Sequence, residues 1–305
     1  MDKLKLPTYG GQAVIEGVMM RGKQSVAIAM RAPDDSIVIH EDGLGSVYRS
    51  KIVQIPFLRG MILLWDALGL GMKALTISAN TQSGEDEKIE GAALFVTLGI
   101  SLAFAVGLFF LLPAGVGYFF ERFVTSTFTL DASQAYTAAW IGNLLEGLLR
   151  LAILIAYIWF IGRIPDIKRV FAYHGAEHKT INAFEAGAEL VPETVKGYSL
   201  EHPRCGTAFL LTLIVLSILV FSLLGPLPLG MRLASRILMI PVLAGVAYEY
   251  IRWTANHLDS GFVKTIVKPN LALQHLTTRE PDLDMLEVSI AAFKAMRAGE
   301  EEIYL

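Results

Sequence analysis

The chain has 305 residues, 53% hydrophobic and 18% charged, with a net charge of -3 and a mean hydropathy of +0.50. Soluble domains carry about 25% charged residues, so this deficit points to a lipid bilayer as partner, and the lack of a basic stripe interleaved with aromatics excludes nucleic acid. A single cysteine, Cys205, excludes an internal disulfide and agrees with a reducing compartment.

The opening Met1-Asp-Lys-Leu-Lys lacks the apolar core of a secretory signal, so insertion would rely on the first apolar span. Residues 1–55 read as a β-rich segment. Runs at 12–20, 25–31 and 36–40 alternate β-branched and small residues between turn-forming clusters, which predicts a short antiparallel meander. Its glycine-rich part, 10–22, holds Glu16 and Arg21, and glycine there permits tight turns and close backbone approach. This segment could fold over a distant site and bring Glu16 to it as a catalytic carboxylate, or it could hold only hairpin turns and a surface salt bridge. The spacing is not that of a phosphate-cradling loop. Residues 56–80 are apolar except for a few polar residues, of which Arg59, Asp66 and Lys73 recur every seven positions. That stripe predicts a helix lying in the membrane interface, with a fifth span as its rival. Residues 83–90 read as a polar linker.

Residues 91–251 read as a transmembrane bundle of four helices, at about 91–118, 136–161, 207–224 and 231–251. Residues 91–120 carry no charge, and about 20 residues suffice to cross the hydrocarbon. Charges inside such spans are costly. Glu146 and Arg150, one turn apart, can pair, with Asn143 one turn further out and Arg236 at similar depth. Either an ion-pair network fixing helix packing or a polar path follows. Of the 26 Lys and Arg, 22 fall before the first span, in the loop 163–206 or in the tail 252–305. The positive-inside rule therefore puts both termini and that loop in the cytoplasm. No internal repeat supports a transporter.

The loop carries His174-Gly-Ala-Glu-His178. On a helix, His174, Glu177 and His178 share one face, and H-x-x-E-H is the inverted zincin pattern. Two imidazoles at this spacing can share a divalent metal, with Glu177 as general base. Glu249, at the inner end of the fourth span, is the best-placed downstream carboxylate for a third ligand. His202 and Cys205, in H-P-R-C-G at the start of the third span, offer nitrogen and sulfur. Two completions stay open: His174, His178 and Glu249 as an open catalytic site, or His174, His178, His202 and Cys205 as a closed structural one. Zinc suits the nitrogen and sulfur donors, while iron or manganese would suit more carboxylates. Asn182 and Glu185 continue the face as supporting partners. In the tail, Thr277 followed by Glu280 and Pro281 predicts a helix start. Leu283, Leu286, Ile290, Phe293 and Met296 form an apolar stripe for core packing or for a partner.

Four ordered motifs, G-G-Q-A-V-I-E-G-V-M-M-R-G at 10–22, Y-H-G-A-E-H-K-T at 173–180, H-P-R-C-G-T at 202–207 and L-T-T-R-E-P-D at 276–282, resemble the YqhQ-like family of bacterial membrane proteins. The resemblance spans nearly the whole chain. It implies membrane location and a suspected metal, not a reaction, and it marks Glu16, Arg21, His174, Glu177, His178, His202, Cys205, Arg279 and Glu280 as motif positions. The expectation is thus a mainly α membrane protein, a four-helix bundle with a small α+β N-terminal domain and a C-terminal helix on the cytoplasmic side. Its function reads as a metal-dependent hydrolase acting on a lipid-linked or membrane-protein substrate. The alternative is a non-catalytic scaffold for membrane-protein insertion or quality control, bound to a membrane-protein partner.

Overall fold

The computed structural model describes residues 9–45, 55–83 and 91–302. The opening segment Met1 to Lys5, and the polar linker beyond Ser83, lie outside them. The chain is mainly helical, with one small antiparallel sheet. Strands β1 (Gly10–Val14), β2 (Gly17–Arg21), β3 (Ser25–Arg31) and β4 (Ile37–Gly43) form a meander in the order β1-β2-β3-β4. The run at 12–20 is therefore two strands rather than one. Val14 pairs with Gly17, and the two-residue turn between them holds Glu16 at φ 52, a left-handed conformation that disfavours side chains. No Asn-Gly or Asp-Gly marks this turn.

The central strands β2 and β3 are buried on both faces, which is why β3 reads as a nearly continuous apolar run. Val14, Met19, Val26, Ile28 and Met30 pack under helix α1 (Leu58–Gln82) through Leu70 and Ala74. Val18, Met20, Ala27 and Ala29 face the other way, into a core with helices α5 (Pro165–Glu185) and α10 (Leu283–Glu302). Most of the tail stripe belongs to this core: Leu286, Ile290, Phe293 and Met296 are buried, while Leu283 is exposed. The helix start expected at Thr277 is instead an end, that of α9 (Gly261–Thr277), and α10 begins after Pro281.

The charged stripe of α1 lies on its protein side, with Lys73 at the exposed edge. Both oxygens of Glu249 accept from the Arg59 guanidinium, and one accepts the Phe57 N–H at the start of the helix. Arg21 of β2 feels the charge of Asp66, and Lys73 Nζ lies 2.7 Å from Asp42 of β4. The apolar side chains Leu58, Trp65, Leu68 and Met72 face outward, Trp65 being 81% exposed.

The bundle comprises α2 (Gly91–Val106), which runs through a π-helical turn at Gly107–Leu111 into α3 (Leu112–Thr127), with α4 (Ala132–Ile161), α7 (Gly206–Ser222) and α8 (Leu229–Asn256). A four-residue helix α6 (Pro192–Val195) lies in the loop between α5 and α7. Helices α3 and α4 cross backbone to backbone: a Cβ on Gly117 would fall 2.5 Å from the Gly142 carbonyl oxygen, the small-residue contact of apolar bundles. Among the described residues, four helices are long and apolar enough to cross a membrane: Leu58–Gln82, Phe95–Thr127, Ala132–Ile161 and Leu229–Asn256. Three coincide with expected spans. The expected third span, 207–224, is the shorter helix Gly206–Ser222, about 26 Å long, and Leu58–Gln82 makes up the four.

Replacing Arg59 with Ala leaves the half-buried Glu249 carboxylate without its charged partner and is expected to cost about 2 kcal/mol. Lys73→Ala removes an exposed pair and is expected to cost under about 0.5 kcal/mol. Thermal unfolding in detergent, followed by tryptophan fluorescence, measures both.

Candidate metal centre

Helix α5 starts at Pro165 with Asp166 in its first turn, where a missing N–H and a negative charge both suit a helix N-terminus. Its central residues, 175–181, are all buried. His174 and His178 lie one turn apart on it, with ring centroids 4.4 Å from each other. Cys205, the residue capping the start of α7, meets them, its Sγ lying 3.2 Å from His174 Nε2. The ligand atoms of His174, His178 and Cys205 all fall within 4.8 Å of one another. A tetrahedral zinc would set neighbouring nitrogen and sulfur donors about 3.5 Å apart.

Both imidazoles are held in the tautomer that metal binding requires. His174 Nδ1 donates to the Thr277 carbonyl at 2.9 Å, and His178 Nδ1 donates to the Leu200 carbonyl. A carbonyl only accepts, so in the neutral ring the proton sits on Nδ1 and Nε2 is left as the donor atom for a metal. His178 is fully buried, and its Nε2 has no hydrogen-bond partner among the described residues. A buried acceptor left unpaired costs about 1–3 kcal/mol, and a cation coordinated there would remove that cost. The donor set, two nitrogens and one sulfur, fits a borderline-soft ion such as zinc. Thr207 Oγ1 lies 2.9 Å from Cys205 Sγ as a further polar neighbour.

Of the other candidate ligands, Glu249 and Glu16 pair with arginines, and His202 lies next to the cluster but outside the three-donor group. His202 is buried beside His178, with ring centroids 5.6 Å apart. Its Nε2 faces Arg204 at 3.4 Å and Glu185 at 4.0 Å, and its main chain is clamped on both sides by Gln274. Burial, then the nearby Arg204, His178 and His174, push its pKa well below the usual range, so it is neutral. Glu249 is consumed by Arg59 and the start of α1, because the helix it sits on meets α1 rather than α5. Glu16 does fold onto the histidine helix. Its carboxylate, however, pairs with Arg169 and accepts from the Tyr173 hydroxyl at 3.3 Å, and Arg169 holds its pKa below the ordinary carboxylate range. Asn182 supports the loop instead, donating to the Ser199 and Glu201 carbonyls, and Glu185 pairs with Arg204.

Glu177 is buried against β1, where its carboxylate accepts the Gly11 N–H. Only glycine allows this contact, since a Cβ at position 11 would meet Glu177 Cδ at 3.0 Å. Burial pushes its pKa up to about 7, against opposing pulls from His174 and the Gly11 N–H. The partners that sequence reasoning missed are main-chain carbonyls, of Thr277 and Leu200. No residue type marks a carbonyl, although Thr277 lies inside one of the four motifs.

The family model for a protein of unknown function, DUF1385, matches residues 55–298. The chain belongs to this family. It is also 35% identical to the "Uncharacterized protein YqhQ" of Bacillus subtilis (strain 168), over 97% of this chain and 94% of that one. The resemblance carried by the four motifs is therefore a family relationship. No solved structure matches.

With a folded pKa near 7 against an ordinary 4.5, Glu177 binds a proton more tightly in the folded state. Stability of metal-free protein then falls as pH rises from about 4.5 through 7, by up to about 3 kcal/mol. Glu177→Gln is expected to abolish this fall, matching wild type at pH 5 and exceeding it at pH 8 in chemical denaturation.

Proposed function

We propose that this protein is a membrane-embedded, metal-dependent hydrolase whose site lies at the cytoplasmic surface and acts on a lipid-linked or membrane-protein substrate. One observation carries this reading: two imidazoles whose Nδ1 atoms are fixed by main-chain carbonyls converge with one thiol, and the buried Nε2 of His178 has no partner among the described residues. Three protein donors leave a fourth position for solvent or substrate, the pattern of catalytic rather than structural zinc. Glu249 and Glu16 are engaged by arginines, and His202 falls outside the three-donor group, so the fourth position is left open. A zinc ion there would act as a Lewis acid, polarising a scissile carbonyl or phosphoryl group and making water a better nucleophile.

The residues supply the rest. Glu177, poised near neutrality beside His178, is suited to take a proton from the attacking water and return it to the leaving group. His174 is the partly exposed member of the cluster, and Gly206, at the start of α7, is exposed with open space where a side chain would be. Substrate therefore approaches from that side. The exposed Trp159 and Phe160 at the end of α4 and Leu210 on α7 would then sit at the inner membrane interface. The outward apolar face of α1, with Trp65 at its centre, would lie on the same leaflet. The cytoplasmic placement rests on the distribution of Lys and Arg. The scaffold alternative loses one docking surface, because the stripe of α10 is spent inside the domain.

Elemental analysis of natively purified protein is expected to find one transition metal per chain, lost in His178→Ala and in Cys205→Ser. Glu249→Gln and His202→Gln should keep it. Glu177→Gln should retain the metal yet fail to complement a deletion strain. Metal-free wild type, or full complementation by Glu177→Gln, would end the hydrolase reading.

A further inference from the structure

A second cluster of buried charge lies within the bundle, away from the histidines. Counting along α7, Ser217 is 12 residues from Cys205, about 18 Å. Three guanidinium groups, Arg150 on α4 and Arg232 and Arg236 on α8, gather there with two carboxylates, Glu146 on α4 and Glu121 on α3. All five residues are buried.

Glu146 is saturated. Its oxygens accept from Arg150 at 2.9 Å and from Arg236 at 2.9 and 2.8 Å, and Arg232 Nε stands 3.6 Å away. Arg150 is finished by the Phe109 carbonyl in the π-helical turn, at 2.9 Å, and by Ser217 Oγ at 3.2 Å. Arg236 also reaches Asn143 Oδ1 at 2.8 Å and stacks on Phe221. Arg232 is different. Its Nη2 donates to Asn143 Oδ1 at 2.6 Å and forms an ion pair with Glu121 Oε2 at 3.2 Å, but its Nη1 is buried with no partner among the described residues. Even with both acids ionised, three positive charges face two negative ones.

An unmatched charge in low dielectric is expensive, and the excess sits where it can be met. Arg232 is in the first turn of α8, beneath the loop 223–228, whose Leu224 carbonyl is held by Asn143 at 2.8 Å. One helical turn from a bundle end is the depth of the headgroup boundary, and a guanidinium pairs best with planar or tetrahedral oxyanions. We infer that Arg232, backed by Arg236 and Asn143, binds a phosphate group at the end of the bundle opposite the histidine site. The phosphate comes from an anionic lipid headgroup or from free inorganic phosphate. This inference is independent of the metal.

The test is thermal unfolding in detergent with added dioleoylphosphatidylglycerol, dioleoylglycerol or inorganic phosphate. The phospholipid is expected to raise the wild-type midpoint by several degrees and dioleoylglycerol to leave it unchanged, with the shift abolished in Arg232→Gln. If inorganic phosphate reproduces the shift, the ligand is the free ion; if it does not, the ligand is the headgroup. No shift in wild type, or an undiminished shift in Arg232→Gln, overturns the inference and leaves the cluster a packing element. Should Arg232→Gln not fold, Glu121→Gln serves, since it adds a second unmatched charge. Its shift should exceed that of wild type, and an equal or smaller one overturns the inference.

Discussion

The structure depends on satisfying one polar helix in a buried position. Helix α5 carries His174, Glu177, His178, Lys179, Thr180 and Asn182 into the space between the sheet, α10 and the loops around it, and buried polar groups must be paired or cost free energy. Each finds its partner on a different segment. Glu177 takes the Gly11 N–H of β1, Lys179 donates to the Lys196 and Tyr198 carbonyls and pairs with Glu280, and Thr180 meets Ser289 of α10 at 2.8 Å. His174 and His178 tie in the end of α9 and the loop before α7. A single helix thus wires the N-terminal sheet, the tail and the apolar bundle together. Among the described residues, the His178 Nε2 atom is the acceptor of this set left without a partner.

The same rule governs the bundle and the joint between bundle and sheet. Charges on α4 and α8 survive in an apolar setting because they answer one another, and the π-helical turn in the α2–α3 helix leaves the Phe109 carbonyl free for Arg150. On α1 the charged stripe faces protein and the apolar side faces out, the reverse of a helix on a soluble domain. That inversion joins the sheet to α8 through Arg59 and Glu249 while leaving Leu58, Trp65, Leu68 and Met72 for lipid.

Much of this was legible in residue order. Long uncharged runs can only be apolar helices, and strict spacing marked the stripe of α10 and the pairing of Glu146 with Arg150. The H-x-x-E-H spacing put two imidazoles on one face whatever surrounded them. Other features were not legible. The Ile15-Glu16 turn has no turn-forming pair, and its left-handed residue is held by Arg169, 153 positions away. Glu249 reads as a free acid at a membrane edge until α1 arrives beside it. The helix α9 went unread, since Pro269 falls inside it and proline is normally a helix breaker.

The sequence by itself determined three of the four apolar spans, the two-histidine face and the family, because these follow from composition, helical period and ordered motifs, all of which are local properties. Only the tertiary structure decided which candidate side chain lies beside the histidines. His202, Cys205 and Glu249 are chemically eligible alike, and the choice rests on which helix ends meet α5 and which acids are already claimed by arginines. Such competition between distant partners is a property of the packed chain, and spacing along the sequence carries no trace of it.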